Sequence, residues 1–209
     1  MMDRDNKILK IDKMTDNPFL NMYDVTARNC AGGIFHYYFA SRGEGENLKC
    51  LTRENTPEGI MIYAILKEDP SKVVLVKQYR YPINDFVYEM PAGLADAGER
   101  METTAVREFH EETGMTLELY EGGDPALRNA FYTTVGLTDE SVSVLYGFAA
   151  GNPNGDSREA TEDIEVVIAD REEAKRILRE EKVAMKCAQS LIHFLHADPE
   201  KPFAFLDMD

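Results

Sequence analysis

Three carboxylates carry the clearest chemistry in this chain. Glu108, Glu111 and Glu112 stand at i, i+3 and i+4, a spacing that puts all three on one face of a helix. Left uncompensated, such a cluster repels itself. Hard divalent cations with oxygen ligands relieve that repulsion, and Mg²⁺ binds through a few carboxylates together with waters and substrate phosphates. The commoner role of an isolated Glu-x-x-Glu-Glu is a solvated acidic face, but the flanking residues argue against it here. Gly93 is followed after five residues by Glu99, and after seven more by Arg107-Glu108-Phe109-His110-Glu111-Glu112-Thr113-Gly114-Met115. At roughly one in fifteen per position, chance agreement of Gly93, Glu99, Arg107, Glu108, Glu111, Glu112 and Gly114 falls below about 10⁻⁷.

The elements that must position these residues are legible in the hydrophobic pattern. Residues 101–113 read as the helix bearing the carboxylates, with Met101, Ala105 and Phe109 on the opposite face to pack on a sheet. Gly114 suits the left-handed position that ends a helix, and Gly93 and Gly98 let the preceding loop turn with its backbone close to a bound metal. Apolar runs at 60–66 and 72–77, separated by Glu68-Asp69-Pro70-Ser71, predict two neighbouring strands of a well-covered sheet. Further strands are expected at 21–29, 34–40, 86–90, 117–120, 141–148 and 164–168, with Gly32-Gly33 as a turn. Helical periodicity returns at 171–181, with Ala174, Ile177 and Leu178 inward. It appears once more at 184–196, with Ala184, Cys187, Ala188, Leu191 and Leu195 inward. Residues 42–47 and 151–161 read as polar loops, and the best boundary lies between about 41 and 58.

The segment from Gly93 to Met115 carries the full signature of the Nudix hydrolases, and the chain resembles that family. The resemblance implies an α+β fold, a Nudix-type α/β/α sandwich with a mixed sheet at 56–198. A small N-terminal β-rich subdomain at 1–55, serving dimerisation and substrate binding, would precede it, and a C-terminal tail at 199–209 would follow. Upstream, Gln78-Tyr79-Arg80 and Glu89-Met90-Pro91-Ala92-Gly93, continued by Asp96, Gly98 and Glu99, resemble the ADP-ribose pyrophosphatase branch. By that resemblance the main-chain carbonyl of Ala92 with Glu108 and Glu112 would hold the metal, Glu111 would share a second ion, and two to three Mg²⁺ or Mn²⁺ ions would serve each site. Gly93, Glu99, Arg107 and Gly114 would support the loop and helix. Arg80 would approach a phosphate or the terminal ribose, and Glu89 a sugar or base, unless the two form a structural salt bridge. A late-loop carboxylate is also expected, Glu162 best matching, with Glu159 and Glu140 as alternatives. Glu112, Glu111 and Glu162 are the catalytic candidates, Glu162 or Glu112 as base.

The implied reaction is metal-dependent hydrolysis of the pyrophosphate bond of a nucleoside diphosphate sugar, ADP-ribose giving AMP and ribose 5-phosphate. One departure bears on substrate: the turn from Thr133 to Glu140 keeps Gly-Leu-Thr-Asp-Glu but lacks the proline that relatives usually carry. GDP-mannose and UDP-glucose therefore stay open as substrates, as does a non-catalytic nucleotide-sensing module. By resemblance the N-terminal strands exchange between the subunits of a homodimer. Phe35, Tyr37 and Tyr38 could offer adenine a stacking face, although core packing is the expected role for at least two of them. Arg42 and Arg53 could reach phosphate from a partner subunit or simply lie on the surface.

Composition narrows the remaining classes. The 209 residues carry 23 Lys and Arg against 38 Asp and Glu, a net charge of −15 that opposes binding to nucleic acid or anionic membrane. A polyanionic substrate then needs cations brought in as metal ions. Cys30, Cys50 and Cys187 are widely spaced, which fits neither a disulfide framework nor a zinc knuckle. No signal-peptide or membrane-spanning run is visible, so a cytoplasmic protein is expected. His36, His110, His193 and His196 show no metal spacing, and neither a Gly-x-Ser-x-Gly elbow nor a P-loop occurs.

Overall fold

The computed structural model describes residues 6–155 and 163–208. In chain order the strands and helices are β1 (Ile8–Lys13), β2 (Asn21–Arg28), β3 (Ile34–Ser41), α1 (Lys49–Thr52), β4 (Gly59–Leu66), β5 (Val73–Arg80), β6 (Asp85–Glu89), β7 (Ala92–Leu94), α2 (Met101–Thr113), β8 (Thr116–Leu119), β9 (Ala130–Tyr132), β10 (Ser141–Ala150), β11 (Ile164–Ala169), α3 (Arg171–Glu180) and α4 (Met185–His196). They form an α+β fold in two units. The described residues of Met1–Pro57 with Ala130–Val142 make the first, and Glu58–Asn129 with the described residues of Ser143–Asp209 the second. The first unit runs to Pro57 and also takes in a later segment that no composition shift announces.

In the second unit the strand order is β11-β5-β4-β10-β8, with β6 on β5 and β7 on β4. A strand covered on both faces must be apolar at every position, and β4, GIMIYAIL, is buried from Gly59 to Ile65. Its alternation sorts the two faces. Ile60, Ile62 and Ala64 join Val74, Leu145 and Ala149 in a cluster with Ala105, Phe109, Met115 and Leu117, and Met101 packs against it. This is the floor on which α2 rests. On the other face Tyr63 meets Tyr146, Phe203 and Phe205 edge-on or tilted, and His193 of α4 stacks on Phe205 at 5.0 Å.

The C-terminal residues are not the tail expected at 199–209. Phe203 and Leu206 are buried at 2% and 0% exposure. Phe203 touches the rings of Tyr63, Tyr120, Tyr146 and Phe148, and the Leu206 carbonyl accepts the Asp124 N–H at 2.8 Å. Burial of that ring area is what ties the segment down. In α4 the buried face is Cys187, Ser190, Leu191 and Phe194, so Phe194 takes the place that periodicity assigns to Leu195.

In the first unit a three-stranded antiparallel sheet, β1-β2-β3, holds its own small core of Tyr23, Val25, Ala27, Phe39 and Leu48. Strand β1 is absent from the sequence reading for a physical reason. Ile8 and Ile11 both pack on this core although they are three residues apart, because a register shift between Ile8 and Lys10 brings both onto one face, opposite Ala27 and Val25. A period-2 search does not find that pattern. The short β7 and β9 and the single-turn α1 were likewise unexpected. Core packing for two of Phe35, Tyr37 and Tyr38 is not what the sheet shows: they are 40%, 43% and 51% exposed. The buried aromatics are Tyr23 and Phe39, stacked at 5.5 Å, whereas Phe35 and Tyr37 face the smaller Ala27 and Val25 across the hairpin.

Phe109 is fully buried between α2 and the sheet. F109A is therefore expected to lower unfolding free energy by about 3–5 kcal/mol, read from chemical denaturation. A loss below about 1 kcal/mol would show that α2 is not anchored through this ring.

Candidate active site

The helix that carries the carboxylates is held from both ends. At its C-terminus Gly114 adopts φ 69° and donates its N–H to the His110 carbonyl at 2.8 Å, a left-handed cap that disfavours any side chain. Asn154 covers this cap, its own N–H on the Thr113 carbonyl at 3.0 Å and Nδ2 on the Gly114 carbonyl at 3.3 Å. At the N-terminal side the loop before α2 is tied by Glu99, which accepts from the Asp96 N–H at 3.1 Å and the Thr104 hydroxyl at 2.9 Å.

Arg107 joins that loop to the helix. Its Nε donates to Glu99 Oε1 at 3.2 Å, Nη2 to Glu99 Oε2 at 2.9 Å and to the Leu94 carbonyl at 3.2 Å, and Nη1 to Glu108 Oε1 at 2.8 Å and Glu111 Oε2 at 3.0 Å. All five N–H donors of the guanidinium are engaged. The Arg107 bonds, then the Asp96 N–H and the Thr104 hydroxyl, pull the Glu99 carboxyl from its ordinary 4.5 down to about 2. In return Glu99 first, then Glu108 and Glu111, push the Arg107 value up.

The remaining carboxylates close on the backbone at Ala92 and Gly93. A Cβ at Gly93 would lie 2.0 Å from Glu108 Cδ, so Glu108 occupies the space that any other residue at 93 would fill. Glu112 is buried at 3% exposure and accepts the Ala92 N–H at 3.2 Å. The structure thus gathers Ala92, Gly93, Glu99, Arg107, Glu108, Glu111 and Glu112, while Gly114 caps the same helix at its far end. Among the described residues no three of His, Cys, Asp and Glu converge as a ready cage for an ion, since Glu108 and Glu111 turn to Arg107 and Glu112 to Ala92. The donor set is nonetheless of the right kind for a hard divalent cation, which takes carboxylate and carbonyl oxygens and keeps much of its water.

Arg80 and Glu89 pair on adjacent strands, Nε and Nη2 each 2.6 Å from Glu89 Oε2, which is the salt-bridge geometry. Cys187 lies buried, its thiol pushed up to about 12 by burial and then by the charge of Glu89, so it is no nucleophile. Glu140 is engaged within the first unit, accepting the Thr133 hydroxyl at 3.0 Å and lying 3.9 Å from Arg42. Glu162 and Glu159 lie outside the described residues. Sequence reading missed Thr104 and Asn154. Thr104 stands at i+5 from Glu99, where a buried hydroxyl was a usable signal; Asn154 sits forty residues from Gly114, where nothing local points to it.

A NUDIX domain profile matches residues 55–187. The chain belongs to the Nudix family. It is 36% identical over 125 residues to a putative nudix hydrolase 2 of Caenorhabditis elegans, covering 56% of this chain and 54% of that one. To an ADP-ribose pyrophosphatase of Bacillus subtilis (strain 168) it is 33% identical over 129 residues, covering 61% and 65%. The matched stretches thus span less than two thirds of either relative. A solved ADP compounds hydrolase aligns over 88% of this chain and 89% of its own with a TM-score of 0.64 at 15% identity, a likeness of fold.

The Nudix loop latch carries a pH signature. Glu99 has a folded value near 2 against 4.5 in the unfolded chain, so its contribution to stability is complete above pH 4.5 and is lost as pH falls from there toward 2. Melting temperatures across that window should fall less steeply in E99Q than in the wild type. Parallel curves would remove Glu99 as the source.

Proposed function

We propose that this chain hydrolyses the pyrophosphate bond of a nucleoside diphosphate sugar in a metal-dependent reaction, with ADP-ribose giving AMP and ribose 5-phosphate. The observation that carries the reading is the convergence of Glu108 and Glu112 on the Gly93 and Ala92 backbone, with Glu111 beside them on Arg107. Carboxylates of one helix thus lie beside the backbone of one loop. Relatives named ADP-ribose pyrophosphatase supply the substrate class.

Glu108, Glu112, Glu111 and the Ala92 carbonyl would hold Mg²⁺ or Mn²⁺, two to three per site, with Glu162 as a further ligand. Bound there, such ions neutralise charge developing on the pyrophosphate oxygens and lower the pKa of water. Glu112 or Glu162 takes the proton from the attacking water. Arg80, held by Glu89, meets phosphate or ribose, and Glu89 accepts from a sugar hydroxyl or an exocyclic amine. The N-terminal β-rich segment at 1–55 serves dimerisation and substrate binding in a cytoplasmic homodimer, for which a native mass of two chains is expected.

The test is phosphate released, after phosphatase treatment, from ADP-ribose, NADH, GDP-mannose, UDP-glucose and diadenosine polyphosphates with Mg²⁺. ADP-ribose should lead, and EDTA should abolish turnover; undiminished rates in EDTA would end the metal reading. Preference for GDP-mannose or UDP-glucose would move the substrate, and tight binding without turnover would leave a nucleotide-sensing module. E112Q should lower kcat by about 10²- to 10⁴-fold. Its melting temperature should change little, because a glutamine oxygen still accepts the Ala92 N–H. Near wild-type turnover in E112Q would take Glu112 out of the chemistry.

A further inference from the structure

Arg107 uses the two ends of one planar group differently. The Nε and Nη2 edge binds Glu99 and the Leu94 carbonyl of the preceding loop, a tie to the helix that the Thr104 hydroxyl shares at Glu99. Nη1 binds Glu108 and Glu111, which the helix already places at i+1 and i+4 of Arg107 and which need no tie to stay there. What Nη1 adds is charge. Glu99, Glu108 and Glu111 share one guanidinium, and Glu112 follows directly in the same turn. Without a cation, Glu108 and Glu111 would sit together as like charges on a partly desolvated face, at 15% and 40% side-chain exposure.

We propose that Arg107 Nη1 stands in for the divalent cation in the metal-free protein. A cation that takes Glu108 and Glu111 competes with Nη1, while the Nε and Nη2 edge keeps the loop latched through Glu99. The proposal rests on the metal-dependent reading of these carboxylates and adds a role for Arg107 that a latch alone does not have. Competition gives opposite signs to two substitutions. R107Q removes the competitor, so metal binds more tightly even as the metal-free protein loses stability. E99Q releases the latched edge and leaves the guanidinium to Glu108 and Glu111, so metal binds more weakly.

Mn²⁺ binding without nucleotide, measured by titration calorimetry, should be roughly two- to fivefold tighter in R107Q and roughly two- to fivefold weaker in E99Q, the size of a partly exposed ion-pair contact. Weaker binding in both would reduce Arg107 to a latch and overturn the proposal. If R107Q fails to fold, the wild type still decides it. Guanidinium-resolved NMR should show the Arg107 Nη signals change on saturation with Mg²⁺ while the Nε–H signal persists; unchanged Nη signals would overturn it. Mg²⁺-dependent hydrolysis beside an unresponsive Arg107 would remove this inference and keep the proposed reaction. A responsive Arg107 in a chain that hydrolyses no pyrophosphate would do the reverse.

Discussion

Four carboxylates, Glu99, Glu108, Glu111 and Glu112, are brought within reach of a single guanidinium or of the strand beside it, and the arrangement depends on how Arg107 spends its five donors. A rigid fork can satisfy two directions at once, which a lysine ammonium cannot do with the same geometry. One direction fixes the loop before α2, and the other offsets charge along α2 itself. Hydrogen bonds from Arg107 hold the Glu99 carboxyl well below the usual carboxylate range, so the latch stays charged in mildly acid solution.

The latch can only act on a helix that is itself immobile. Ala105 and Phe109 sink α2 into Ile60, Ile62 and Ala64 of β4, leaving Glu108, Glu111 and Glu112 on the remaining side. Strand β7 pairs with the same β4, Met61 opposite Ala92 and Ile60 opposite Gly93. Helix and loop are therefore referred to one strand. Glu108 can pass close over the backbone at 93 because glycine stands there, and a close approach of this kind tolerates almost no displacement of either element.

Charge and fold fit together in this reading. A chain with a net charge of −15 repels a nucleoside diphosphate unless cations intervene, and the site concentrates that repulsion on one helical face. Arg107 meets part of it in the metal-free protein, and the proposed cations meet the rest. The first unit holds a separate small core under its own sheet, and its exposed Phe35, Tyr37 and Tyr38 leave apolar surface of the sort that partners or bases use.

The sequence by itself determined the carboxylate helix, its Gly114 cap and the long strands, because 3.6-residue and unbroken apolar patterns are local and strong. The resemblance to the Nudix signature also marked Glu99 and Arg107 as supports of the loop and helix, without any visible contact. Tertiary structure alone decided the rest. The bulge that brings Ile8 and Ile11 to one face depends on pairing with β2, and the burial of Phe203 depends on four rings distant in sequence. The splitting of Arg107 between loop and helix depends on distances that spacing does not encode: i+1 and i+4 neighbours are offered by every helix, but a third carboxylate eight residues back reaches the same guanidinium only after the loop has folded over it.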